Sequence, residues 1–162
     1  MESVFLLLGS NMGDKQTFLR QSVALLNVSP NRVLRTSSLY LSEPWGFVHP
    51  EKFLNQAVEM QTPLEPAELL QQIHVIENSL GRTRVAGQYT ARTIDIDILL
   101  FGNRIIQTPD LTIPHPRMAE RMFVLQPLAE LFPDGVHPAL QLTVEQLKAQ
   151  CADRLQVTKI LA

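Results

Sequence analysis

The sequence predicts an α+β fold: a ferredoxin-like split βαβ core whose mainly antiparallel sheet is flanked by helices, with extra C-terminal helices. Three observations predict it. Apolar runs of strand length and segments of helical periodicity follow one another in the order β-α-β-β-α-β. Ile94, Ile96, Ile98 and Leu100 alternate with other residues at the two-residue period of a strand. Finally, 162 residues with 45% hydrophobic content suit one core, so residues 1–162 are read as a single domain. The split βαβ arrangement places the crossing helices on one face of the sheet.

The apolar residues 4–9 read as a buried first strand, and residues 10–13 as a polar turn. Asp14 caps a helix over residues 15–27, with Phe18, Leu19, Leu25 and Leu26 on its buried side. Ser29-Pro30-Asn31 ends it. Residues 32–41 read as one strand and 53–62 as another, with Leu54, Val58 and Met60 on one face. Between them, residues 42–52 form a long loop carrying Pro44, Gly46 and Pro50. Pro66 starts a helix whose apolar stripe is Leu69, Ile73, Ile76 and Leu80, and Gly81 ends it. A polar loop over residues 82–92 precedes a strand over 93–101. Gly102-Asn103 turns the chain into a short strand over 104–108, and residues 114–117 form a rigid loop. Helices follow over 119–131 and 144–151, the second with a capping box of Thr143 and Gln146, and residues 156–161 make a last strand.

Composition excludes several function classes. A net charge of −2 lacks the basic excess of a nucleic-acid footprint. The apolar run at residues 4–8 is too short to span a bilayer, and Met1-Glu2-Ser3 lacks a basic leader segment. Cys151 is the only cysteine, so neither an intrachain disulfide nor a cysteine zinc site can form. A monomer in the reducing cytoplasm is the expectation.

The chemistry centres on Asp95 and Asp97. Strand side chains alternate, so these two carboxylates share a face while the isoleucines around them take the core. Neighbouring carboxylates repel unless a positive charge lies between them. Mg²⁺ suits them, being a hard cation that takes carboxylate and phosphate oxygens and keeps several waters. The pair alone fits a solvated surface equally well. Arg82, Arg84 and Arg92 flank the strand, and guanidinium groups grip phosphate at any working pH. Acids and arginines together point to Mg²⁺-dependent phosphoryl transfer from ATP.

Other candidates surround this centre. His115 is held between Pro114 and Pro116 as a phosphate donor or a structural imidazole, and Arg121 lies about one turn further on. Glu77 sits beside the apolar stripe of its helix, where an acid is usually exposed. Asn55 shares a strand face with Phe53 and suits the hydrogen-bonding edge of a flat heterocycle, which Phe53 and Phe123 could sandwich. Trp45 belongs to the long first loop, either over a closed site or on the surface. Gly9-Ser10-Asn11 reads as a phosphate nest or a tight turn; neither a Walker A nor a G-x-G-x-x-G motif is present.

Five stretches carry a resemblance. They are Leu8-Gly9-Ser10-Asn11-Met12-Gly13-Asp14, Phe53-Leu54-Asn55-Gln56-Ala57, Ile76-Glu77-Asn78-Ser79-Leu80-Gly81-Arg82, Ala91-Arg92-Thr93-Ile94-Asp95-Ile96-Asp97-Ile98-Leu99 and Ile113-Pro114-His115-Pro116-Arg117-Met118. In this order they resemble the 6-hydroxymethyl-7,8-dihydropterin pyrophosphokinases of folate biosynthesis. The resemblance implies transfer of a pyrophosphoryl group from MgATP to the pterin hydroxymethyl oxygen, with release of AMP. It implies two Mg²⁺ ions on Asp95 and Asp97, and phosphate-gripping, site-closing roles for Arg82 and Arg92. It further implies ATP contacts from Glu77, Arg84, Arg92, Ile98, Thr112, His115 and Arg121, and pterin contacts from Pro44, Trp45, Phe53, Asn55 and Phe123. The loops over 42–52 and 82–92 would then act as lids that exclude water. The sequence departs from the family pattern at Ala91, at Tyr89-Thr90 and at Asp110. A non-catalytic sensor module and a different Mg²⁺-dependent phosphotransferase are the rival readings of the same scaffold.

Overall fold

The computed structural model describes residues 1–43, 51–81 and 93–160. Its main sheet runs in the order β5-β1-β4-β3-β8. Here β1 is Glu2–Ser10, β3 Leu39–Ser42, β4 Phe53–Thr62, β5 Asp95–Phe101 and β8 Val157–Ile160, with β2 (Arg32–Thr36) pairing β4 beside β3. Every pairing in it is antiparallel. Helix α1 (Lys15–Leu26) follows β1 and α2 (Pro66–Ser79) follows β4, which gives the expected split βαβ arrangement. A small hairpin of β6 (Ile106–Gln107) and β7 (Thr112–Ile113), a 3₁₀ turn (Met118–Glu120), α3 (Met122–Leu131) and α4 (Val144–Gln150) complete the described chain.

The helices do not all lie on one face. Val4, Leu6 and Leu8 pack with Leu19 and Leu26 of α1 and with Leu69, Ile73 and Ile76 of α2. The alternate residues Phe5 and Leu7 pack with Val124, Leu128 and Leu131 of α3. Both faces of β1 are therefore buried, and its nearly unbroken apolar run is the sequence signature of that burial. Stacking of Phe5 on Phe132, with ring centroids 4.4 Å apart, closes the second layer.

Capping fixes the helix starts. Asp14 accepts the Thr17 amide, and Thr143 and Gln146 form the expected reciprocal box. An equivalent box joins Glu65 and Glu68 at the start of α2. On α1 the buried residues are Leu19, Ser22 and Leu26. Leu25, expected inside, is exposed, because its position falls off the stripe that Leu19 and Leu26 set.

Three elements differ from expectation in ways that shape the site. The strand expected over residues 32–41 is two strands. Between them the Ser37 hydroxyl accepts the Ala57 amide at 2.9 Å, so a side chain takes over the ladder. In β5, Leu6 pairs with Ile98 but Phe5 pairs with Leu100, so Leu99 is an extra, bulged residue. Leu100 accordingly joins Phe5 on the α3 face rather than the isoleucine face. The helix expected over 119–131 breaks at Arg121, whose backbone is extended (φ −126°, ψ 111°). Asp153 there accepts the Met122 amide at 2.9 Å and caps α3.

Candidate active site

β5 is the outer strand of the sheet, and a cleft of about 440 Å³ runs along it between α2 and the segment from Pro109 to Arg121. Its lining includes Glu77, Asp95, Asp97, Ile98, Thr112, His115 and Arg121, all candidates from the sequence. Asp95 and Asp97 are half-buried, while Ile94, Ile96 and Ile98 are in the core. Ile98 thus serves both as core residue and as cleft wall.

Glu77 is the first correction. It is fully buried rather than exposed, and its Oε2 accepts the Ile96 amide at 2.8 Å. Ile96 lies between the two aspartates on an edge strand, so its outward N–H needs an acceptor, and Glu77 supplies one from α2. The carboxylate therefore ties α2 to the strand segment that carries both acids.

His115 is half-buried, and its amide donates to Leu99 O at 3.0 Å beside the bulge. Burial lowers the imidazole pKa to about 4; the Arg121 charge adds to this, Asp95 opposes it, and Arg117 contributes in the lowering sense. Nδ1 accepts the Arg117 amide at 3.2 Å. The neutral ring therefore carries its proton on Nε2 and offers a donor. Arg121 is buried, and its guanidinium stands 5.7 Å from the centre of the Phe123 ring. The break before α3 is what lets Arg121 line the cleft while Phe123 sits on the first turn of the helix.

A second arrangement meets this cleft at Asp95. Across the sheet, Asn55, Gly9 and Asp95 stand opposite one another on β4, β1 and β5. Cross-strand neighbours project to the same face. Gly9 has no side chain, and a Cβ there would lie 3.2 Å from Asn55 Oδ1 and 3.5 Å from Phe53 Cδ1. An amide oxygen and an aromatic ring therefore lie over Gly9, in a cross-strand row with Asp95. The expected nest or tight turn at Gly9-Ser10-Asn11 is absent: Gly9 and Ser10 are strand residues, and Ser10 and Asn11 are fully buried.

Arg82, Arg84 and Arg92 fall outside the described residues, as do Pro44, Trp45, Tyr89, Thr90 and Ala91. Sequence reasoning missed Leu70 and His74, which line the cleft with Glu77. Their spacing at i, i+4 and i+7 marks one stripe of α2, adjacent to the buried one, so a helical projection could have found them. Arg117 and Asp110 also line the cleft.

Among the described residues no three His, Cys, Asp or Glu side chains converge as a metal site. The two aspartates share one face of β5 in the lining of the cleft. Such a set suits Mg²⁺, which completes its shell with water and substrate phosphates, and does not suit a structural zinc.

A ferredoxin-like sheet with paired acids, a neutral imidazole and a buried guanidinium around one ligand-sized cleft defines a small-molecule-binding α+β protein. Comparison with known proteins narrows that class. Residues 5–133 match the family model of 7,8-dihydro-6-hydroxymethylpterin-pyrophosphokinase (HPPK). The 2-amino-4-hydroxy-6-hydroxymethyldihydropteridine pyrophosphokinase of Bacillus subtilis (strain 168) is 51% identical over 128 residues, covering 78% of this chain and 76% of that protein. The same-named protein of Porphyromonas gingivalis (strain ATCC 33277) is 42% identical over 141 residues, covering 85% and 95%. Among solved structures, Plasmodium falciparum HPPK-DHPS with pteroate matches with a TM-score of 0.74 at 17% identity, over 92% of this chain and 42% of that one. That likeness speaks for the fold, and this chain spans less than half of the longer solved chain. The chain belongs to the HPPK family of ATP-dependent pyrophosphokinases, which serve folate biosynthesis. No described helix is long and apolar enough to cross a membrane.

Proposed function

We propose that this chain transfers the β,γ-pyrophosphoryl group of MgATP to the hydroxymethyl oxygen of 6-hydroxymethyl-7,8-dihydropterin and releases AMP. The observation that carries the reading is the position of Asp95. It lies in the charged cleft and also ends the row of Asn55 and Gly9, so one carboxylate adjoins both substrate regions.

The nucleotide occupies the cleft beside β5. His115 donates from Nε2 to a phosphate oxygen; its neutral form keeps that donor without adding a charge that Arg121 would repel. Arg121 and Arg117 neutralise phosphate charge from the same wall, with Ile98 and Thr112 against the nucleotide. Glu77 acts indirectly, holding the strand between the acids. Phe53 and Phe123 flank the pterin and Asn55 reads its edge. The family resemblance adds Arg82, Arg84 and Arg92 to the phosphates and Pro44 and Trp45 to the pterin. Asp95 and Asp97 would hold two Mg²⁺ ions, which when bound would neutralise phosphate charge and acidify the attacking hydroxyl. The pterin hydroxyl oxygen forms a bond to the β-phosphorus and releases its proton to solvent as the bond from that phosphorus to the α,β-bridging oxygen breaks, and the electron pair leaves with AMP. We place the chain in the cytoplasm as a monomeric single domain; its only cysteine, Cys151, is buried, which supports a life without disulfides.

The test is to incubate the protein with MgATP and the pterin and to separate the nucleotides. AMP with pterin diphosphate is expected. ADP would indicate ordinary kinase chemistry, and no product from folded protein would refute the assignment.

A further inference from the structure

We infer that Asp153 is a positioning residue for the nucleotide site: by taking the Met122 amide, its carboxylate makes α3 start at Met122, and the break this leaves at Arg121 turns that guanidinium into the cleft. This rests on the reading of Arg121 as a phosphate contact. Asp153 lies in the link between α4 and β8, and both of its oxygens are engaged. Oδ2 accepts the Met122 amide and Oδ1 the Leu155 amide, each at 2.9 Å. The link is anchored at both ends. Cys151 is buried with Leu125 and Leu147, and Met122 packs against them. On the other side, Val157 pairs with Ser42 in the sheet. Packing and pairing together carry the carboxylate to the start of α3.

Nothing in the segment itself calls for a break. Residues 118–126 contain neither glycine nor proline. Met, Ala, Glu, Arg and Leu, which make up most of it, are good helix formers. In an uninterrupted helix the Met122 amide would donate to Met118 O, four residues back. Here Met118 O takes the Arg121 amide instead, at a long 3.4 Å, and Asp153 takes the Met122 amide. The positive pole at this end of α3 favours a carboxylate there.

The break decides where Arg121 points. Val124, Leu125 and Leu128 stand three, four and seven residues beyond it and are the buried stripe of α3. With a helical backbone Arg121 would extend that stripe, and its guanidinium would turn towards the same apolar packing. The extended backbone takes Arg121 off the stripe and sets it in the wall of the cleft.

The test measures the Kd of a non-hydrolysable MgATP analogue by calorimetry with the full chain, at a temperature where circular dichroism shows each variant folded, and separately measures turnover. Asp153→Ala should raise the analogue Kd about fivefold, the loss typical when an N-cap side chain is removed. Asp153→Asn, which keeps an oxygen for the Met122 amide, should restore binding to within about twofold. In an Arg121→Ala background, Asp153→Ala should add almost nothing, because it acts through Arg121. If Asp153→Ala does not fold, Asp153→Glu makes the same comparison: it keeps the charge but moves the oxygens by one methylene, so it should bind the analogue more weakly than Asp153→Asn. Wild-type Kd in Asp153→Ala, even with a lowered melting temperature, or an equal loss with and without Arg121, would overturn the inference. Wild-type protein that binds the analogue but forms no AMP from MgATP and the pterin would sink the proposed reaction and leave the Asp153 comparison decisive on its own. Wild-type protein that binds no analogue would overturn both.

Discussion

His115 shows how burial sets a residue's chemical role. An imidazole pKa of about 4 means the ring is neutral throughout the physiological range. In an NMR titration of the free protein its ring resonances should move with a midpoint near 4, and a midpoint between 6 and 7 would contradict the structure. The unfolded chain binds a proton near pH 6.5 and the folded chain does not until about 4. His115 therefore contributes stability that is fully present above about pH 6.5 and is lost as pH falls towards 4. Gly9 acts by having no side chain. Its φ is not in the left-handed region, so alanine fits the backbone, but the new methyl would crowd Asn55 Oδ1 and Phe53. Gly9→Ala should raise pterin KM roughly 10–200-fold; an unchanged KM would show that the Asn55 and Phe53 side chains over Gly9 do not meet the pterin. His115 was visible in the sequence as an imidazole set between prolines, whereas its neutrality depends on Arg121 and on burial. Gly9 was visible as a glycine, but its meaning comes from strand register, which places Asn55 and Asp95 on either side of it.

At the scale of elements, β5 has two faces with different tasks. Ile96 is in the core, so Ile96→Ala should cost about 2–5 kcal/mol in a urea titration. A midpoint that did not move would mean that the strand faces are reversed. Glu77→Leu should cost about 1–3 kcal/mol by leaving the Ile96 amide buried without its acceptor, and Glu77→Gln, which keeps an acceptor oxygen, should cost less. Equal losses for the two variants would argue that the carboxylate charge, not the hydrogen bond, is what matters. Most of β5 was legible, because strict alternation from Ile94 to Ile98 admits only one period. The bulge at Leu99 was not, since Leu99, Leu100 and Phe101 are all apolar and both sheet faces are buried, so a change of face leaves no mark on the pattern. The break at Arg121 was hidden for a similar reason: the cap that stabilises it comes from Asp153, far along the chain.

At the scale of the molecule, α1 and α2 cover one face of the sheet and α3 covers the other, and the acid-lined cleft runs along the β5 edge. The order of strands and helices was enough to predict the split βαβ core. The second helical layer was not, because helix periodicity shows that a face is buried without showing against what. With both sheet faces covered, the chain should sediment as an 18.3 kDa monomer, and a stable dimer mass would correct that expectation. In the proposed reaction the acids of β5 drive pyrophosphoryl transfer. Single-turnover AMP formation by Asp97→Ala, measured beside the wild type with MgATP and 6-hydroxymethyl-7,8-dihydropterin, tests it most directly. The variant should fold with an unchanged or slightly raised melting temperature, since a like-charge neighbour has gone. Its rate should be at least about 10²–10³-fold lower, the loss typical when one preorganised electrostatic group is removed. A folded Asp97→Ala protein that forms AMP at the wild-type rate would contradict it.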